Sequence, residues 1–402
     1  MSNLIQRASL TPLLLVATLL ISACATRPAQ VPPKQPIAVP VPGPTSVPGG
    51  KVADHLRRAA FADLPGWADD DLRAAWPALL ASCSALAAKP GWQEACVNVG
   101  KVDSSNLAVV REFFQMRFVP HQVHNSDGSF SGTVTGYYEP LLRGARTRRA
   151  QFQTPLYGPP SDLVTVELAT LYPELKSLRL RGKLVGNRLV PYPTRAEMEQ
   201  QNLLAGRELL WVDDPVDAFF LQVQGSGRVR LDETGETVRV AYADQNGHPY
   251  RSIGRYLVER GALSLEQASM QGIKAWVAAN PSRLQELLNA NPSYVFFREE
   301  RVADPAQGPR GALGVPLTAQ RSIAVDPQFI PLGAPVFLVT TLPNSSAVLR
   351  RLMMAQDTGG AIRGPVRADF FWGFGQNAGD MAGRMKQAGQ MWVLLPLALS
   401  EQ

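Results

Sequence analysis

Apolar positions change period several times along the chain, and each change marks a different kind of element. Between residues 53 and 88 they recur at helical spacing through Leu72, Trp76, Leu79, Leu80 and Leu86, which predicts helix. The run beginning at Leu107 repeats that spacing behind Asp103-Ser104-Ser105, side chains suited to capping its first N–H groups. From Gln115 the period drops to two. Met116, Phe118 and Val123 alternate up to a turn at residues 124–129, and alternation resumes from Thr133 to Tyr138. Two alternating runs around Asp127-Gly128 predict a hairpin, with His121 and His124 near its strand-to-turn junction and at the surface.

Residues 140–215 hold no clear period. After them residues 219–223 read as a strand, and residues 228–232 and 237–243 as a hairpin around Glu233-Thr234-Gly235-Glu236. Helical spacing returns at residues 251–260, stopped by Gly261. It returns again behind a Ser264-x-x-Gln267 capping box and after Asn280-Pro281. Beyond Pro292 the pattern is one of short strands at 294–297, 322–325, 336–340, 349–355 and 391–395, with one helical segment at 378–387. Short strands punctuated by Gly and Pro predict a small closed barrel or a sandwich. The fold class is therefore mainly β with N-terminal and connecting helices. No internal repeat of fixed period is present.

The first fifty residues follow other rules. Arg7 precedes an apolar stretch from Leu13 to Ile21, short of the roughly 20 residues a membrane span needs, so it reads as an export signal. It ends in Ile21-Ser22-Ala23-Cys24, which resembles the bacterial lipobox, whose cysteine is acylated. The alternative is a plain signal peptide with an incidental cysteine. Ala25 in place of Asp implies, by the same resemblance, the outer membrane with the folded part facing the periplasm. Residues 28–48 then carry eight prolines and close on Gly49-Gly50. Such a polyproline tether reaches roughly 60 Å at about 3.1 Å per residue.

Composition narrows the classes further. The chain has 402 residues, 45% hydrophobic and 18% charged, enough for two or three domains. The net charge of +6 comes without any run of five Lys or Arg, so nucleic acid is not the expected partner, and an anionic polymer or membrane fits as well. With Cys24 given to lipid, Cys83 and Cys96 remain; export favours a disulfide between them over two buried thiols. His55, His121, His124 and His248 are scattered without ligand spacing, so zinc is disfavoured.

Three aspartates stand out in the strand-rich C-terminal part: Asp326 in IAVDPQF, Asp357 in MMAQDTGG and Asp369 in VRADFFWG. Each is expected at or just past the end of an apolar run, and Phe370-Phe371-Trp372 can lower the dielectric around Asp369. Burial and a second carboxylate both raise a carboxyl pKa, and a carboxylic acid still protonated near neutrality suits a general acid. The bland reading is that the three merely cap turns. Asp357-Thr358-Gly359 also matches one half of an aspartic-protease pair, but no second such motif exists in the chain.

Taken together, TGYYEP (135–140), FFLQVQGSG (219–227), YADQNGHPYRSIG (242–254), SMQGIKAW (269–276), NPSYVFF (291–297) and the Asp357/Asp369 segment resemble the membrane-bound lytic murein transglycosylase A family with its C-terminal three-Asp domain. The resemblance runs in order from about residue 130 to 395. It implies a double-psi β-barrel catalytic domain, a smaller inserted β-domain and a substrate groove between them. The expected division is 1–23 signal peptide, 24–50 lipidated Cys24 and tether, and 51–135 helical part of the catalytic domain. The inserted domain follows at 136–270, with an extra insertion at about 155–205, and the barrel at 271–402.

The same resemblance makes Asp369 the catalytic acid and base, Asp357 its supporting carboxylate and Asp326 a structural third. Tyr137, Tyr138, Gln224, Gly225 and Ser226 would line the groove, the tyrosines being core residues in the alternative. The implied substrate is the glycan strand of peptidoglycan, cut at the MurNAc-β-1,4-GlcNAc bond with closure to a 1,6-anhydro end. No metal or organic cofactor is called for, and cell-wall synthases or divisome proteins are the candidate partners. Two rivals stand beside this. One is a hydrolase using Asp369 and Asp357 as acid and base; the other is a non-catalytic, expansin-like wall-binding lipoprotein.

Overall fold

Three sheets account for the strands among the described residues, which are 54–175, 178–302 and 304–400 in this computed structural model. The signal segment, Cys24 and the Pro-rich tether lie outside them. The largest sheet has eight strands. Their pairing order is Leu56–Arg58, Phe118–Val123, Lys386–Pro396, Pro335–Thr341, Val348–Asp357, Ser322–Val325, Arg367–Phe374 and Gly132–Glu139. The long strand Lys386–Pro396 pairs twice. Trp392–Pro396 bond to Phe118–Val123, while Lys386–Gly389 bond to residues 132–135. The sheet therefore returns to its own third strand.

That double pairing replaces the expected hairpin. The turn itself is made, with Gly128 at φ +81° and its N–H 2.9 Å from the Asn125 carbonyl. Its two flanking strands bond to Lys386–Pro396 rather than to each other. Alternation sets which residues are extended but says nothing of which neighbour completes the ladder. Phe118–Val123 is buried along its whole length, so His121, expected at the surface, has no exposed atoms. Its Nδ1 lies 3.0 Å from the Val119 carbonyl, and burial pushes the imidazole below its ordinary pKa.

The helices Trp76–Leu86 and Leu107–Arg117 cover this sheet through a run of aromatic contacts. Trp76 meets Phe113 edge-on at 5.0 Å, and Trp67 bridges Phe114 to Phe337 at 6.2 and 5.5 Å. Such pairs each add about 0.5–1.5 kcal/mol beyond the area they bury. The second helix is capped by Asn106, whose Oδ1 accepts from Ala108 N, whereas Asp103 closes a turn of its own with Ser105. Cys83 and Cys96 are joined, Cα to Cα 5.2 Å, tying Trp76–Leu86 to the short helix Gln93–Cys96. Deeper in, Arg321 donates twice to the buried Asp70 carboxylate, fixing the helical segment to the sheet.

The second sheet has six strands, ordered Val295–Arg301, Thr237–Gln245, Ser226–Leu231, Leu141–Ala145, Glu208–Val212 and Thr154–Tyr157. The expected hairpin is here, antiparallel from Ser226–Ala241 to Arg230–Thr237. One expected strand is instead a helix, because residues 219–223 fall inside Pro215–Gln224. Asp214 Oδ1 accepts from the N–H groups of Val216 and Asp217 at 2.7 and 3.1 Å, and Pro215 fills the first helical position. This start signal outweighs the aromatic and β-branched content that favoured a strand. Farther along, Ser264 and Gln267 do exchange capping-box bonds, but around an isolated turn; the helix Met270–Ala279 starts behind Ser269. A third, three-stranded sheet of Val164–Thr165, Arg181–Val185 and Arg188–Pro191 occupies the segment read as an extra insertion. By pairing, residues up to Glu139 belong to the large sheet and Val295–Arg301 to the second.

Candidate active site

The register of the large sheet brings the two aspartates together. In the strand Ser322–Val325, Ala324 pairs with Asp357 on one side and with Asp369 on the other, and Asp369 pairs in turn with Thr135. Directly paired residues share a face, and neighbouring strands lie about 4.8 Å apart, so the two aspartate Cα atoms stand roughly 10 Å apart on either side of Ala324. Asp357 ends the strand Val348–Asp357, as expected. Asp369 does not follow an apolar run; it is the third residue of Arg367–Phe374. Alternation then sends Phe370 and Trp372 into the main core and leaves Phe371 on the side of Asp369. Phe371 forms a small apolar cluster there with Tyr137, Leu317, Ala324 and Ile362.

This surrounding decides the electrostatics. The Asp369 carboxyl is pushed up to about 6, chiefly because burial disfavours its charge, with a smaller push from Asp357; Thr135 and Arg367 oppose the shift. The Thr135 hydroxyl donates to Asp369 Oδ1 at 2.6 Å, and Arg367 Nη2 donates to that hydroxyl at 2.8 Å. Asp369 Oδ2 receives no donor among the described residues. Asp357 is also raised by burial, but both its oxygens are occupied. Oδ1 accepts from Ala312 N at 3.0 Å and Thr358 N at 2.9 Å, and Oδ2 from the Tyr137 hydroxyl at 3.0 Å. Hydrogen bonds accepted by both oxygens of Asp357 favour its charged form, whereas Asp369 keeps a bare oxygen on which a proton can sit ready for transfer.

A cavity of about 280 Å³ opens beside this row. Its wall includes Tyr137, Tyr138, Gln224, Gly225, Ser226, Asp357 and Phe371. Asp369 lies one same-face position beyond Phe371, at the margin of the cavity rather than in its wall. Gln224 ends the helix Pro215–Gln224, and Gly225, at φ +81°, turns the chain straight into the next strand, a backbone state that suits glycine. Gln224 Oε1 accepts from Tyr138 N at 3.1 Å, which leaves its NH₂ group for the cavity. The ring of Tyr138 lies against Gly379, where any Cβ would come within 2.8 Å of it. Asp326 is elsewhere: buried, it accepts from Gln328 N and Gly364 N and so holds the loop after Asp357. Sequence reasoning missed Thr135, Arg367, Arg179, Arg298 and Arg310. Thr135 sits in the quoted TGYYEP, yet only the strand pairing reveals that it faces Asp369.

Comparison with known proteins bears on this site. Residues 133–298 match the MltA specific insert domain, and residues 321–395 match the 3D domain. The chain is 33% identical over 279 residues to the membrane-bound lytic murein transglycosylase A of Escherichia coli (strain K12), covering 68% of each chain. It is 50% identical to a lytic transglycosylase of Burkholderia pseudomallei of known structure, with a TM-score of 0.57 over 88% of this chain and 99% of that one. It is similar too to the crystal structure of the Escherichia coli MltA with bound chitohexaose, at 29% identity and a TM-score of 0.61 over 79% and 89% of the two chains.

Proposed function

The chain belongs to the membrane-bound lytic murein transglycosylase A family, and from that membership we propose that it cleaves peptidoglycan glycan with Asp369 as its single acid and base. The enzyme is a lyase acting on peptidoglycan. In the proposed reaction, protonated Asp369 gives its Oδ2 proton to the glycosidic oxygen between MurNAc and GlcNAc, and the bond from that oxygen to MurNAc C1 breaks. The C6 hydroxyl oxygen of the same MurNAc closes onto C1, and its proton returns to Asp369. The products are a free GlcNAc end and a 1,6-anhydromuramoyl end; no water is consumed. Asp369 is well matched to both halves, because a group titrating at about 6 gives and takes a proton with little penalty near neutrality.

One observation carries the assignment: of the two carboxyls flanking Ala324, only Asp369 has an oxygen that receives no donor among the described residues. Thr135 fixes its orientation and, polarised by Arg367, softens the charge left after transfer. Asp357 would hold the sugar and the Ala312–Thr358 backbone in place rather than act as nucleophile. Digestion of purified sacculi with mass analysis of the products tests this, since a hydrolase product is heavier by one water than the anhydro product. Reducing-end muropeptides as the main product would overturn it in favour of an Asp369/Asp357 hydrolase.

The finer architecture follows the same reading. The six strands that close on Lys386–Pro396 would form the double-psi β-barrel, and the second and third sheets the inserted domain, from about residue 140 to about residue 302. The protein is membrane-associated like the relatives it matches. Acylated Cys24 and the Pro-rich tether would hold it to the outer membrane within the periplasm, where synthases or divisome proteins would direct it to new wall.

A further inference from the structure

The cavity holds more positive charge than cutting a neutral sugar bond requires. Arg179, Arg298 and Arg310 all contribute to its wall, alongside Asp357 and Tyr242. Arg298 is already engaged, with Glu300 at 2.7 Å and with the Tyr242 carbonyl. The other two form no ion pair, although Arg179 lies within reach of the Tyr242 hydroxyl and of the Asp357 charge. Among the described residues no carboxylate lies within ion-pair distance of Arg179 or Arg310; Arg310 Nη1 donates only to the Gly314 carbonyl, at 2.8 Å.

Arg179 is held as if for a ligand. Its guanidinium lies 5.9 Å from the centre of the Tyr242 ring. Two residues on, Arg181 is pinned by the Asp244 carboxylate at 2.7 Å, which fastens the segment to the strand Thr237–Gln245. Arg179 precedes Arg181–Val185, a strand of the third sheet, so the segment that sequence reading set apart as an insertion reaches back into the catalytic cavity. A guanidinium outside ion-pair distance of every carboxylate among the described residues, set beside an aromatic ring and bordering a partly desolvated cavity, is a receptor for a planar anion, best of all a carboxylate.

We propose that Arg179, with Arg310 beside it, binds a carboxylate carried by the muramic acid side arm of the glycan, so that the inserted segment lets the enzyme distinguish muramoyl glycan from neutral chitin-like sugar. The proposal rests on the glycan-cleaving function argued above. The carboxylate can come from two sources, the lactyl group of a peptide-free strand or the acidic residues of an attached peptide.

Calorimetric titration of the Asp369→Asn protein, with and without Arg179→Gln, separates these cases. The probes are chitohexaose, peptide-free glycan, the same glycan with its lactyl carboxyls amidated, and peptide-bearing glycan. The expected result is a loss of about tenfold in affinity for peptide-free glycan, the scale of one charge-assisted bond, with chitohexaose and the amidated glycan unaffected. Arg179→Lys should recover part of that loss, and Arg310→Gln should repeat it. A loss confined to peptide-bearing glycan would support the proposal with the stem peptide as the source. Equal weakening of chitohexaose would reduce Arg179 to a general part of the wall, and unchanged affinity for every anionic glycan would refute the proposal. Because binding is read in a protein lacking the proposed acid, failure of the Asp369 assignment would show as 1,6-anhydro product from that variant and leave the titration interpretable.

Discussion

The strand Gly132–Glu139 touches two buried acid centres, and they behave in opposite ways. Midway along it Thr135 faces Asp369, whose neighbours are a hydroxyl, an apolar cluster, a second carboxyl and Arg367. Arg367 bonds the hydroxyl and makes no ion pair with the carboxylate among the described residues. At the end of the strand Glu139, with no exposed atoms, accepts from Arg239 Nε at 2.5 Å and from Arg228 Nε at 2.9 Å. The same two arginines also donate to the Gln307 carbonyl, and Arg228 lies 3.9 Å over the Phe374 ring. Burial alone does not make a catalytic acid. Where it is met by two cations the carboxylate becomes a clamp, here joining the large sheet to the second. Where it is met by a hydroxyl and hydrocarbon, the charge is left costly and the proton mobile.

The largest test of that contrast is Asp369→Asn. Loss of the transferable proton removes both the acid and the base step, each about 10²–10⁴-fold, so activity on sacculi should fall by several orders of magnitude. Stability should move the other way. A carboxyl raised from 3.8 to about 6 binds more protons folded than unfolded, so the wild-type protein loses stability as pH rises through that window. The amide does not titrate and escapes this. The variant should therefore be the more stable by roughly 1–3 kcal/mol at pH 7 in urea unfolding, with the advantage gone near pH 4. A variant both inactive and less stable at pH 7 would mean that Asp369 is a structural group.

Glu139→Gln should do the reverse. It leaves two buried guanidinium groups without their anion, which typically costs about 3–5 kcal/mol. Activity should fall because the two sheets no longer hold the cavity together, yet the pH profile of what remains should keep its shape. A shifted profile with little loss of stability would erase the distinction between clamp and acid.

How legible this contrast was in the sequence depends on the interaction concerned. Asp369, Asp357 and the tyrosines stood out because short motifs carried them, and the strands at 322–325 and 335–341 followed from their apolar runs. Glu139 was in plain view in TGYYEP, but nothing in one sequence says that Arg228 and Arg239, some ninety and a hundred residues on, close around it. The hairpin at Asp127-Gly128 failed for the same reason: its partner strand lies at the far end of the chain. Residues 219–223 were misread locally, since a short, mostly apolar stretch does not distinguish strand from helix and the cap at Asp214 lies outside it. His121 was misplaced because a polar residue in a strand buried on both sides breaks the alternation on which the reading relied.

Asp357→Asn sharpens the comparison from within the cavity. Asn keeps an acceptor for Ala312 N and Thr358 N, so the fold should hold, and activity should drop by about tenfold rather than by orders of magnitude. Removing a neighbouring negative charge lowers the pKa of Asp369. The limb on which activity falls as Asp369 loses its proton should then move to lower pH. A loss as deep as that of Asp369→Asn would instead indicate a two-carboxylate hydrolase.

The smallest effect is expected from Tyr137→Phe, and it is the most specific. Tyr137 is only 8% exposed, its ring packs on Phe371 at 5.1 Å, and its hydroxyl is spent on Asp357. Both tyrosines line the cavity, and Tyr138, the less buried of the two, is the one placed to stack on a sugar. Phenylalanine keeps the packing and removes one donor, at a cost of about 0.5–1.5 kcal/mol in stability. Because that donor lowers the pKa of Asp357, its loss should raise that pKa further. A weaker charge on Asp357 pushes less on Asp369, so the limb on which activity falls with rising pH should shift slightly to lower pH, with activity changed by a few-fold along it. Tyr138→Phe, which removes no bond to either aspartate among the described residues, should leave the pH dependence alone, and Tyr138→Ala should weaken chitohexaose binding. If Tyr137→Phe weakened chitohexaose as strongly as Tyr138→Ala and left the pH profile untouched, Tyr137 would be a sugar platform and the line from Tyr137 through Asp357 to Asp369 would not exist.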